Sequence, residues 1–170
     1  MDDLKIAFLS KYYGNDAIKG AVLVTDKATK PIEFRVTESV RPTKIQRTLY
    51  GEILYDYILV ELIAVPLLGS LKEKPKLVLV QDEIFLEANS KQEIPVIQIL
   101  KEEDKVYGKE KPIEEITSPS SKFPSLRITT SKGIAQKLTD VKRQLEELYV
   151  FRNLLEPFQR IQDVCEQDKT

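Results

Sequence analysis

Histidine is absent from all 170 residues. Imidazole is the side chain enzymes use most for proton transfer near neutral pH and the commonest transition-metal ligand. Its absence excludes Ser–His and Cys–His nucleophilic pairs within the chain. Cysteine occurs once, at Cys165, which excludes an internal disulfide and a zinc site built on paired thiolates. The six glycines are scattered, and none has the spacing of a phosphate-binding loop. A surplus of one charge sign is also missing: 26 Lys+Arg stand against 27 Asp+Glu, for a net charge of -1. That balance argues against coating nucleic acid by bulk charge, though not against a local basic patch. The longest apolar region, residues 53–68, is interrupted by Asp56, Glu61 and Pro66, and reads as too short and too charged for a bilayer span. Met1-Asp2-Asp3 lacks the basic and apolar stretches of a secretory signal. The expectation is a cytoplasmic protein with no membrane partner.

What is present fits a globular chain: 42% hydrophobic and 31% charged residues, in a length that suits one domain with an appendage. The chain reads as an α/β core over residues 1–111, a proline- and serine-rich linker over 112–130, and a C-terminal helical segment over 131–170. Residues 4–9 (LKIAFL) predict a first strand, followed by a turn over 11–14. Residues 17–25 predict a second strand and 31–40 a third, in which Ile32, Phe34 and Val36 alternate with Glu33, Arg35 and Thr37 as a half-buried face. Thr43 and Gln46 have capping-box spacing and open a helix whose apolar positions Ile45, Leu49, Ile53, Leu54, Tyr57, Ile58 and Leu62 make it the buried central helix. Residues 76–80 (KLVLV) predict a central strand parallel to the first. Residues 94–100 predict another strand, which Pro95 places at an edge or a strand start. Residues 101–111 read as a charged turn around Gly108, and 126–129 as a last short strand. A long amphipathic helix is expected from Ser131, bent at Pro157. The predicted fold is α/β or α+β, with a mixed sheet of about five strands.

Three constellations could carry function. Arg35, Arg41, Lys44 and Arg47 surround the start of the central helix and form a candidate anion or phosphate site, because free N–H groups and guanidinium forks attract phosphate. The competing reading pairs these cations with Glu33 and Glu38. Tyr50, with Tyr12, Tyr13, Tyr55 and Tyr57, adds rings that can stack bases beside the arginines. The second constellation is acidic: Asp16, Glu38, Asp82 and Glu83 fall near predicted strand ends, and Glu52 lies on the predicted helix. The third is the stripe Leu138, Val141, Leu145, Leu148 and Leu155, with Phe151, on the C-terminal helix. It either covers the chain's own sheet or meets a partner.

The order of a β-hairpin, a helix, a buried strand ending in acids and a further strand, over residues 4–100, resembles ribonuclease H-like nucleases, endonuclease V in particular. The resemblance implies Mg²⁺ held by acids at strand ends for in-line attack on a phosphodiester, with Asp16, Glu38 and Asp82 as the ligands. The chain departs from that pattern in its first strand, which carries no aspartate, so Asp16 would have to substitute from a loop. Apart from Mg²⁺ under this reading, no cofactor is expected and no catalytic residue is assigned. The main reading is a non-catalytic module that contacts another protein or a second copy of itself through the C-terminal helix. The alternatives are a nucleic-acid or phosphate-ligand binder and a degenerate Mg²⁺-dependent nuclease.

Overall fold

β1 (Ile6–Gly14) and β2 (Ala17–Thr25) form a long antiparallel hairpin in the computed structural model, which describes residues 4–106, 111–119 and 121–167. Its turn is Asn15-Asp16, both with positive φ (54° and 58°), as a two-residue hairpin turn with right-handed strand twist requires. β1 therefore does not end at Leu9. The expected turn over 11–14 is strand, because Tyr12 and Tyr13 favour extended backbone and Asn15-Asp16 supplies the turn chemistry. β3 (Pro31–Val36) pairs antiparallel with β2.

The chain then crosses over through helical segments to β4 (Leu77–Val80), fully buried and parallel to β1, and β5 (Val96–Lys101), parallel to β4. β6 (Ile113–Ile116) and β7 (Leu126–Thr129) complete one mixed seven-stranded sheet, ordered β3-β2-β1-β4-β5-β7-β6. The class is as expected, with seven strands in place of about five. The proline-rich stretch supplies β6, so the expected linker over 112–130 contains two sheet strands. Pro95 precedes β5 rather than marking an edge: β5 lies between β4 and β7. Gly108 lies outside the described residues.

The crossover is broken in two. α1 (Lys44–Tyr50) starts on the expected capping box, with Thr43 Oγ1 accepting from the Gln46 N–H and Gln46 Oε1 accepting from the Thr43 N–H. It stops at Gly51, whose φ of 55° and ψ of -129° no L-residue adopts comfortably. A 3₁₀ turn (Gly51–Ile53) leads into α2 (Leu54–Tyr57), a π-helical stretch (Ile58–Ala64) and α3 (Val65–Ser70). Only the later part is the predicted buried helix: Ile58, Leu59, Ile63, Ala64, Leu67 and Leu68 pack on Ala7, Leu9, Val22, Val24, Val78 and Val80. By length and composition alone, and against the expectation for residues 53–68, Lys44–Ser70 is long and apolar enough to cross a membrane; its later part packs on the sheet, and 39% of its most apolar window is buried. α1 has no buried residue, and Ile45, Leu49 and Ile53 are 62–76% exposed.

The other face of the sheet carries α4 (Leu138–Tyr149) and α5 (Glu156–Gln167), which are separate helices. Pro157 sits in the first turn of α5, where its missing N–H costs nothing, so it starts a helix instead of bending one. Leu138, Val141, Leu145 and Leu148 are buried with Ile6, Phe8, Leu79, Ile97, Ile99 and Ile128, and Leu155 packs against the same cluster. The predicted interface stripe is thus consumed within the chain. Phe151, 67% exposed, is the member that stays outside. Each large apolar side chain so buried contributes roughly 1.5–3 kcal/mol relative to an exposed one, enough to fix the helices on this face. Cys165 is buried there as well, at 1% exposure.

Candidate nucleic-acid interface

Side chains alternate across β1, so Lys11 and Tyr13 follow Ala7 and Leu9 on the α2–α3 face but emerge beyond the helical cover. α2 brings Tyr55 to the same place. Lys11 Nζ donates to Tyr55 Oη at 2.9 Å and pairs with the Asp82 carboxylate at 3.3 Å. It lies 5.3 Å from the Tyr13 ring centroid and 5.4 Å from that of Tyr55. The two rings stack at 6.1 Å with 16° between their planes. Burial pulls the Lys11 ammonium down, but the Tyr55 hydroxyl and the Asp82 carboxylate outweigh it and hold its pKa above the ordinary lysine value. Lys11 therefore stays charged and fixes both rings, leaving Tyr13 50% and Tyr55 38% exposed as a flat aromatic surface.

Of the four predicted anion-site cations, Arg41 is tied to the hairpin that carries Tyr13. The Arg41 guanidinium donates to the Asn15 carbonyl at the hairpin tip, two residues from Tyr13. Lys44 and Arg47 follow on α1, both exposed, and α1 has no acidic residue in its first turn. Arg47 stands in the last turn of this short helix, where a cation complements the dipole. Arg35 does not join them. Its Nε donates to Glu33 at 2.5 Å on β3, about six residues and so roughly 20 Å of extended chain from Arg41. Among the described residues Glu33 pairs with Arg35, and no ion pair joins Glu38 to Arg41, Lys44 or Arg47.

The acids do not converge. Among the described residues no three His, Cys, Asp or Glu side chains form a group able to hold a metal ion. Asp82 stands level with Lys11, whereas Asp16 is beyond the end of β1, about 10 Å further along at strand rise. Glu38 follows β3, three strand spacings or roughly 14 Å across the sheet from β4. The carboxylate that does sit at the strand end faces an ammonium group. These residues do not fit the Mg²⁺ that the ribonuclease H-like resemblance implies.

Sequence reasoning missed Lys11 because the strand was ended too early. The signal that would have found it is the alternation from Ala7 through Leu9 to Lys11 and Tyr13. A cleft of about 610 Å³ lined by Leu4, Lys27, Lys76, Glu147, Phe151 and Arg152 opens at the opposite end of the sheet from the Tyr13–Tyr55 surface. Sheets of this kind bind ligands outside the carboxyl ends of their parallel strands, which is the Lys11–Asp82 end.

No family model and no curated protein matches the chain. Among solved structures it is similar to endonuclease V from Ciona intestinalis in complex with a 24mer DNA containing an inosine followed by a ribo-adenosine, at 11% identity and TM-score 0.47, covering 81% of this chain and 76% of that one. It is similar to the Bacillus subtilis endonuclease V at 12% identity and TM-score 0.43, covering 80% and 69%. A protein of unknown function from Archaeoglobus fulgidus matches at 11% identity and TM-score 0.43, covering 86% and 96%.

Proposed function

We propose that this chain binds single-stranded nucleic acid without cleaving it, using the Tyr13–Tyr55 pair as a stacking platform and Arg41, Lys44 and Arg47 as phosphate contacts. The observation that carries the reading is the Lys11 clamp. It holds two exposed tyrosine rings parallel at the carboxyl end of β1 and β4, while Arg41 is tied to the tip of the same hairpin and Lys44 and Arg47 are exposed on α1. Stacked rings next to a basic track suit strands with unpaired bases, since every base has a π-face. Asp82 does two things: it orients Lys11, and it takes up the charge that would otherwise bind phosphate there.

A second reading, the Mg²⁺-dependent nuclease, draws on Asp82 at the strand end. It requires further ligands within oxygen-coordination reach, and Lys11 holds the nearest place.

Both readings are tested by titrating end-labelled single strands into the protein with and without Mg²⁺, and running the products on a denaturing gel. Retention of intact strand is expected. Tyr13→Ala and Tyr55→Ala are each expected to weaken binding about ten- to a hundredfold, the usual contribution of one stacked base. Unchanged affinity in both variants would overturn the platform. Mg²⁺-dependent shortening of the strand, abolished by Asp82→Asn, would establish the nuclease reading instead.

A further inference from the structure

The cleft of about 610 Å³ at the amino end of the sheet combines apolar and basic lining. Leu148 belongs to the α4–α5 core cluster and Leu4 packs against it, so the core reaches the surface here. Phe151, one turn on from Leu148, lines the cleft as well and leaves its ring largely in water, an apolar surface with nothing laid over it. The cations come from three separate segments. Lys27 lies in the β2–β3 turn, Lys76 directly precedes β4, and Arg152 follows α4. None of the three has an ion pair among the described residues. They share the lining with one carboxylate, Glu147. Asp26, in the same turn as Lys27, is engaged elsewhere: its Oδ1 accepts from the Ala28 and Lys30 N–H groups. The turn is fixed to the helical layer. Arg152 Nε donates to the Ala28 carbonyl at 3.1 Å, and the Arg160 guanidinium donates to the Thr29 carbonyl and hydroxyl. Arg152 Nη2 makes no hydrogen bond among the described residues, so a charged donor is left over beside the Phe151 ring.

We infer that this cleft binds a small organic anion. An aromatic or other apolar body lies against Leu148 and Phe151, and its carboxylate, sulfonate or phosphate is met by Lys27, Lys76 and Arg152. Small-molecule sites are concave and mainly apolar with a few charged or polar groups that fix orientation, and this volume falls within their usual range of roughly 300–1,000 Å³. The apolar lining favours such a ligand over a bare inorganic anion, which gains nothing from Leu148 and Phe151. The cations favour it over a neutral molecule of the same shape, because a charge-assisted hydrogen bond is about twice as strong as a neutral one. The cleft shares no residue with the Tyr13–Tyr55 surface or its neighbouring cations, so the inference does not depend on what that surface binds.

Anilinonaphthalene sulfonate, an aromatic anion whose fluorescence rises in apolar surroundings, is titrated into the full chain. N-phenylnaphthylamine, the same ring system without the sulfonate, is titrated in parallel. Saturable binding of the sulfonate is expected, about tenfold tighter than the neutral dye. Lys27→Gln and Lys76→Gln alter exposed side chains and leave the core untouched. Each is expected to weaken the sulfonate about three- to tenfold and to leave the neutral dye unchanged. Phe151→Ala is expected to weaken both dyes about tenfold through lost ring contact. Tyr13→Ala, at the other end of the sheet, is expected to change neither. Phenyl phosphate or benzoate displaces the dye, the one effective at lower concentration naming the anionic group, and inorganic phosphate does not. Absence of saturable binding, equal affinity for the neutral dye, or displacement by inorganic phosphate as effective as by phenyl phosphate would overturn the proposal. So would binding that is lost in Tyr13→Ala and kept in Lys76→Gln.

Discussion

At the scale of single residues, Lys11 and Glu33 show how one side chain can hold several elements. Lys11 ties β1 to α2 through Tyr55 and to β4 through Asp82. Its raised pKa means that its contribution to stability is complete below the ordinary lysine value of 10.5 and is lost as pH rises through the folded-state value. Lys11→Met should therefore flatten the alkaline end of the melting-temperature profile relative to wild type; identical profiles would contradict the coupling. Glu33 behaves in the opposite sense. Burial pushes its carboxyl up, but the Glu73 and Lys72 N–H groups and the Arg35 guanidinium prevail, so its pKa lies below the ordinary 4.5. Its stabilisation is present above that value and disappears as pH falls through the lowered one. Glu33→Ala, which strands two backbone N–H groups at the end of α3, is expected to cost about 1–2 kcal/mol in urea denaturation. Arg41, Lys44 and Arg47 were legible in the sequence as a basic cluster. Arg35 was not separable from them, because a count along the chain does not reveal which cation already has an acid two residues away.

At the scale of elements, the capping box, the buried β4 and the strand at 126–129 were readable because each rests on local chemistry or a short unbroken pattern. The central helix was misread because apolar periodicity does not report what lies opposite. Ile45 and Leu49 share the spacing of Ile58 and Leu62, yet Gly51 turns α1 away from the sheet. The C-terminal stripe failed as an interface for the same reason. Leu145, fully buried in the core cluster on the α4–α5 face, should cost about 2–5 kcal/mol as Leu145→Ala, seen as a lower denaturation midpoint with no change in mass. Close approach governs β2. A Cβ at Gly20 would sit 2.0 Å from Ile63 Cγ2 and 3.3 Å from Leu67 Cδ1. Gly20→Ala is expected to destabilise by about 1–3 kcal/mol, by forcing the π-helical stretch off the sheet.

At the scale of the whole molecule, the sheet divides its labour. Its two faces are committed to the core, the carboxyl end of β1 and β4 presents rings and cations, and the Phe151 cleft lies at the amino end. The sequence predicted the class of fold and the candidates for phosphate contact. It did not reveal the site, because Lys11, Tyr55 and Asp82 come from three separated segments that only the strand register brings level. The same register separates Asp16, Glu38 and Asp82. The most direct test of this account is fluorescence anisotropy of a labelled single-stranded oligonucleotide, with affinity followed from low to high salt. Three phosphate contacts on a single strand predict a log–log slope of about -2, made shallower by roughly one contact's worth in Arg47→Ala. Affinity that is negligible at low salt, or that does not change with salt, would contradict the account.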